Sequence, residues 1–255
     1  MLIPKTCVLP AAAKLHLERL PIISSSVSFS ESTQSLPIAP PTGTDPGQHR
    51  LRLAQGILLL FHVTGFLGLA LSQDPSFFLQ FTPLNLLLTA ALLLAFHPDH
   101  SPTFIWFSLV VMVVGFFVEV VGINTGYLFG QYSYGDTLGI KVLGVPLLIG
   151  VNWWILTYST GVLARYLPLP SIGRAVVAAL LMVGLDACIE PVAGSLDFWQ
   201  WQYDLIPLLN FKGWFVISFI LQVYFNRTQF TKRNALVPFV YLLQLLFFFG
   251  LGLVK

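Results

Sequence analysis

Charge is what this chain has least of. Asp, Glu, Lys and Arg make up 9% of its 255 residues, against about 25% in an ordinary soluble domain. Hydrophobic residues reach 56% and the mean hydropathy is +0.79, so the expected fold class is an all-α integral membrane protein. A net charge of +2 with no basic stripe argues against a nucleic-acid partner. Cysteine is scarce too: Cys7 and Cys188 stand far apart, which speaks against a disulfide framework. Neither has another cysteine or a histidine at metal-ligand spacing. Gly-x-Gly-x-x-Gly and Walker sequences are missing, as are the histidine clusters of a di-iron enzyme. The expectation is therefore no metal and no redox or nucleotide cofactor. His97, Asp99 and His100 crowd one short turn, a weak metal signal, and His62 reads as a hydrogen-bonded core residue.

Residues 1–50 differ from the rest. The runs Ile23-Ser24-Ser25-Ser26 and Pro37-Ile38-Ala39-Pro40-Pro41-Thr42-Gly43 interrupt any apolar stretch, and spanning a bilayer takes about 20 residues. A disordered N-terminal tail is expected there, followed by one polytopic helix-bundle domain over 51–255. A targeting segment is the alternative for the tail. Hydropathy gives about seven transmembrane helices, near 53–72, 80–96, 104–122, 142–164, 172–191, 212–226 and 236–253. With the N-terminus inside, the inner flanks carry seven basic residues (Arg50, Arg52, Arg165, Arg174, Arg227, Lys232, Arg233) and the outer flanks three (Lys141, Lys212, Lys255). That asymmetry predicts N-in and C-out.

Within the spans three carboxylates stand out: Glu119, Asp186 and Glu190. An ionisable group in a membrane span is costly and is a functional-site candidate by default. Asp186 and Glu190 are four apart, which on a helix puts them on one face. Two carboxylates sharing a low-dielectric site do not readily both ionise, which yields an acid beside a base. If the acids serve only to hold helices together, Asn124, Asn152, Tyr158 and Arg174 are the candidate polar partners, Arg174 being a poor one for Asp186 because it lies at the opposite end of the same helix, about 18 Å away. All three acids fall toward one end of the bundle, where the two longest loops also emerge, about 123–141 and 192–211. These loops hold Tyr127, Tyr132, Tyr134, Trp199 and Trp201 and are expected to fold back over the bundle, because so many exposed rings would sit poorly in water. A loose internal repeat is visible: each acid-bearing span leads through an aromatic loop into a span with Pro146, Asn152 and Trp153 or with Pro207, Asn210 and Trp214.

Acids without a metal or redox group, set among aromatic rings in a membrane, suit the protonation of an alkene. A ring face attracts a developing cation by about 0.5–2 kcal/mol. Capture of the tertiary cation by water gives an alcohol; capture by a second double bond closes a ring. A small proton-coupled transporter would also need intramembrane acids. A retinal pigment is excluded, because the last span has no interior lysine.

Two blocks of residues carry a resemblance. Glu119-x-x-Gly122-x-x-x-Gly126 with Tyr132-Ser133-Tyr134, Gly139, Pro146 and Trp153-Trp154 forms one. Asp186, Glu190-Pro191, Trp199-x-Trp201, Pro207, Asn210-Phe211 and Gly213-Trp214 form the other. Together they resemble the carotenoid biosynthesis membrane protein family, which includes CruF-type carotenoid 1,2-hydratases and bisanhydrobacterioruberin hydratases, over about residues 53–250. Glu190 is a departure, since the pattern more often carries aspartate there. The resemblance implies addition of water to the terminal double bond of an acyclic carotenoid end group. The substrates would be a lipid-soluble polyene and water, with other enzymes of the pathway as candidate partners and a bacterial or archaeal cytoplasmic membrane as the location. On this reading Asp186 donates the proton, Glu190 orients water or stabilises the cation, and Glu119 supports them. Tyr127, Tyr132, Tyr134, Asn152, Trp153, Trp199, Trp201, Asn210 and Trp214 bind substrate. Carotenoid cyclisation and proton-coupled transport stay open as alternatives.

Overall fold

The computed structural model describes residues 46–255. The expected tail therefore lies outside the described residues up to 45, and its last five positions already belong to the first helix. The order is α1 (Pro46–Leu71), α2 (Ser76–Leu79), α3 (Thr82–Ala95), α4 (Pro102–Thr125), β1 (Tyr132–Tyr134), β2 (Lys141–Val142), β3 (Val145–Pro146), α5 (Leu148–Ala164), α6 (Ser171–Ala193), β4 (Trp199–Trp201), α7 (Leu208–Arg227) and α8 (Val237–Val254), with one 3-10 turn at Gln202–Asp204. Among the described residues, six helical segments are long and apolar enough to cross a membrane, α2 and α3 together forming one of them. The chain is an integral, multi-pass membrane protein.

The seventh helix, α5, is the exception, with 17 residues. Sequence alone runs this span from 142, because Val142, Leu143, Val145 and Leu147 continue the apolar run. The structure instead folds Lys141–Pro146 into a two-stranded hairpin, β2 against β3. What α5 lacks in length it gains in burial: nearly every residue from Trp153 to Ala164 is enclosed, and it packs against α3, α4, α6, α7 and α8. The close approach of α4 depends on Gly115, where a Cβ would stand 2.4 Å from the Cβ of Trp153. The sixth expected span begins four residues earlier than its sequence estimate, at Leu208.

At one end of the bundle the two aromatic loops pair with each other. β1 runs antiparallel to β4, with Tyr132 opposite Trp201 and Tyr134 opposite Trp199. Gln202 N–H to Gln131 O (2.9 Å) and Gly135 N–H to Phe198 O (3.1 Å) extend the pairing. Asp197 accepts from the amides of Asp136 and Thr137, which ties the two loops a second time. Gly126 closes α4 with φ +69, the left-handed cap that lets the chain turn back over the bundle.

At the opposite end a polar latch joins four segments. Tyr158 of α5 accepts from Asn234 Nδ2 (3.2 Å), and its hydroxyl shares a hydrogen bond with His97 Nδ1 (2.7 Å). Asn234 also donates to Leu93 O, and the His97 ring stacks on Phe104 at 3.7 Å. Burial pushes His97 down to about 4, against an ordinary histidine near 6.5. The folded chain thus binds fewer protons at this site than the unfolded one. The latch's contribution is complete above pH 6.5 and is lost as pH falls toward 4. Thermal unfolding in detergent is expected to show a midpoint that drops across that window, with a smaller drop in His97→Gln. Separately, Gly115→Val is expected to cost about 1–3 kcal/mol by overpacking α4 against α5, read as a lower midpoint at neutral pH.

Candidate functional site

The paired loops and the ends of α4 and α6 enclose a cavity of about 20 Å³, enough for one water by the usual threshold of about 10–15 Å³. Every candidate from the sequence lines it except Tyr127: the three acids, Tyr132, Tyr134, Asn152, Trp153, Trp199, Trp201, Asn210 and Trp214. Tyr127 is a correction. It is 83% exposed, because it lies directly after the Gly126 cap, where the chain has left α4 and not yet turned inward. Phe129, Ile149 and Ile189 complete the lining. These are apolar residues that nothing in the sequence separates from ordinary core.

Each glutamate is gripped by three neutral donors. Glu119 Oε2 accepts from the hydroxyls of Tyr132 and Tyr134 (2.8 Å to Tyr134), and Oε1 accepts from Trp153 Nε1 at 3.0 Å. Glu190 Oε2 accepts from the indoles of Trp201 (2.6 Å) and Trp199 (3.3 Å), and Oε1 from Asn210 Nδ2 at 2.9 Å. Burial first, and the Glu119 charge second, push the two tyrosine hydroxyls far above their ordinary range, so both remain O–H donors. The expected partners take other roles. Asn124 bonds to Val120 O on its own helix, Tyr158 belongs to the distant latch, and Arg174 reaches Leu167 O.

The grip repeats. In each half, a helix carries a glutamate near its end, alternate aromatic residues of the next strand donate to one carboxylate oxygen, and the following helix donates to the other. The order Glu119, Tyr132/Tyr134, Trp153 is matched by Glu190, Trp199/Trp201, Asn210. The strands of the two halves pair, and Trp153 and Trp214 stack with centroids 4.3 Å apart and planes 11° from parallel. The sequence repeat sets Asn152 against Asn210 and Trp153 against Trp214, so the helix donor comes from different positions in the two halves, Trp153 in one and Asn210 in the other. Both acid helices run toward the same end, as in a parallel repeat.

Asp186 breaks the repeat. Four residues before Glu190 stands an acid; four residues before Glu119 stands Gly115. Asn210 Nδ2 bridges the pair, reaching Asp186 Oδ2 at 3.0 Å as well as Glu190 Oε1. Asp186 Oδ1 is buried and has no hydrogen-bond partner in the protein. Of the six carboxylate oxygens in the site, it alone has its acceptor capacity wholly free.

Beside this small cavity runs a second, of about 420 Å³, framed by α1, the segment α2–α3, α5, α6, α8 and the outer loops. Ile149, Asn152, Ile189 and Trp199 line both. Its walls are mostly apolar, and its rim includes Leu60, Phe61 and Phe81, all exposed on the face a bilayer would cover.

The model of the family described as "Carotenoid biosynthesis protein" matches residues 81–255. The chain belongs to that family. Its place is in carotenoid biosynthesis, and the matched region holds both glutamates, Asp186 and both strands. A similar protein is the bisanhydrobacterioruberin hydratase of Haloarcula japonica, 27% identical over 135 residues, which cover 48% of this chain and 46% of that protein. The chain thus spans about half the length of the curated relative it matches. No solved structure matches it.

Glu119 has its acceptor sites turned toward three donors from two other elements, so its first consequence is positional. Glu119→Gln would turn an amide N–H₂ toward groups that are themselves donors. Because β1 is paired with β4, faster amide hydrogen exchange is expected at 132–134 and 199–201 together in that variant, with the remaining helices unchanged.

Proposed function

We propose that the chain is a carotenoid hydratase, adding water to the terminal carbon-carbon double bond of an acyclic end group to give a tertiary alcohol. The observation that carries this reading is the adjacency of an apolar groove to an acid pair in which one carboxyl oxygen is free. A lipid-soluble polyene enters from the bilayer past Leu60 and Phe61 and lies in the groove with its end at Asn152 and Trp199. Asp186 is the proton donor, because Oδ1 has no hydrogen-bond partner in the protein and is free to carry the O–H. The proton goes to the less substituted carbon, and the cation forms at the tertiary one. The ring faces of Trp199, Trp201 and Tyr132 and the carboxylate of Glu190 stabilise it. A water adds to the cation and gives a proton to Glu190, and transfer from Glu190 to Asp186 resets the pair.

The name of the Haloarcula relative supports the reaction type. The donors around Glu190 support its role as the group that stays a carboxylate, since indole and amide N–H groups can only donate to it. Glu119 acts through the strands it holds. Aromatic faces and a charged carboxylate would equally suit a cyclisation, but room for a single water between the acids favours hydration.

Expression in a bacterium that makes lycopene tests this. The wild type is expected to shift pigment mass by one water per hydrated end. Asp186→Asn keeps the shape and removes the donor, and hydration should fall by at least about 10²-fold. Glu190→Gln should also lower it. Wild-type turnover in Asp186→Asn removes the donor assignment, and an oxygen-free cyclic product replaces hydration with ring closure. Pigment of unchanged mass sinks both enzymatic readings.

A further inference from the structure

The groove beside the acids is not uniformly apolar. His62 of α1, Asn85 of α3 and Gln244 of α8 line it from three separate helices. His62 is 5% exposed and Gln244 8%. His62 Nδ1 meets Leu58 O at 2.9 Å, which makes Nδ1 the donor and leaves the lone pair on Nε2. Asn85 Oδ1 and Gln244 Oε1 are buried with no partner in the protein. An unpaired amide within a bilayer-spanning bundle is costly, and a hydrocarbon chain cannot relieve it. Water can, since each amide offers both donors and an acceptor and the histidine a further acceptor. A buried water needs about 2–4 such partners, and the cavity of about 420 Å³ has room for it beside a polyene.

The position of these residues matters as much as their chemistry. The cavity between the carboxylates holds about one water. It is walled by Phe129, Trp201 and Trp214, all buried, and roofed by the paired strands. Asn152 faces both cavities and is the polar step between the groove and the acids. A hydration that consumes one water per turnover needs this small space refilled, and the groove shares four of its lining residues.

We infer that His62, Asn85 and Gln244 form a water-holding station in the groove, which through Asn152 supplies the water that captures the cation. This inference rests on the hydratase reading. Asp186 loses its proton to the alkene carbon. The supplied water forms the new C–O bond and loses one proton to Glu190. That proton returns to Asp186, so one water is consumed and the pair is unchanged.

The test uses membranes holding the full chain, lycopene as the polyene and D₂O as solvent. Protonation is reversible, so the wild type returns deuterated alkene as well as alcohol. In the double variant Asn85→Leu/Gln244→Leu the ratio of hydration to deuterium exchange is expected to fall about tenfold. Deuterium should still enter recovered alkene, which reports a folded and proton-competent site. Should the double variant not accumulate, the two single variants give the same ratio. An unchanged ratio overturns the station alone. So does a variant altered only in its preference between hydroxylated and hydrocarbon polyenes, since the three residues would then read an oxygen on the substrate. A wild type that neither hydrates nor exchanges overturns the hydratase reading and the station with it.

Discussion

Three carboxylates are buried at one end of this bundle, and among the described residues no cation stands beside them. The ion pair found among the described residues, Lys141 with Asp136, lies on the outer loops. Charge compensation is therefore replaced by neutral donors, because a buried acid left without hydrogen bonds would cost several kcal/mol. Helices cannot provide enough of them: their backbone N–H groups are spent internally, and only Trp153 and Asn210 reach in from the bundle. The remainder comes from four aromatic side chains on connecting segments. Those segments must fold inward to deliver them, and pairing them as β1 and β4 fixes which rings face the acids. The closed, ring-walled cavity is a by-product of satisfying the acids.

The same economy shapes α5. At 17 residues it is shorter than each of the six spanning segments, and it is the most enclosed helix, so it serves as the post on which both ends are built. At the acid end it presents Asn152 and Trp153, and at the other it presents Tyr158 to His97 and Asn234. On either side of Tyr158 in sequence, Gln222 of α7 donates to Thr157 O and Thr160 Oγ1, so polar contacts hold α5 from Trp153 to Thr160. Interhelical hydrogen bonds of this kind fix register between apolar helices that have no solvent-driven reason to choose one.

The acids were legible in the sequence because a charge in an apolar run is conspicuous, and the spacing of Asp186 and Glu190 because a helix makes residues four apart neighbours. The aromatic loops were legible as a cover by composition. Their strand pairing was not: three-residue strands have no usable period, and only the observed register shows that alternate rings grip one glutamate each. Tyr127 looks like Tyr132 and Tyr134 by residue type, but it follows the α4 cap directly and lies ahead of the strand that carries the other two inward. Asn124 is a candidate by residue type alone, but its own helix claims it, and Arg174 turns to Leu167 O in the segment before α6. The span containing α5 was read too long because a hairpin of Val142, Leu143 and Val145 is as apolar as a helix. The groove was invisible for a different reason. His62, Asn85 and Gln244 are single polar residues on three distant helices, and no local pattern connects them.

Gly115 carries a consequence for a substrate with two identical ends. A side chain at that position would strike Trp153, so the first half of the repeat has no room for a counterpart of Asp186. On the proposed reading, one proton source thus serves a chain built from two similar halves. Under hydration chemistry, a symmetrical polyene must withdraw from the groove, turn end for end and return before its second terminus can react. The half-converted molecule is then a free species in the bilayer, open to whichever other activity meets it first.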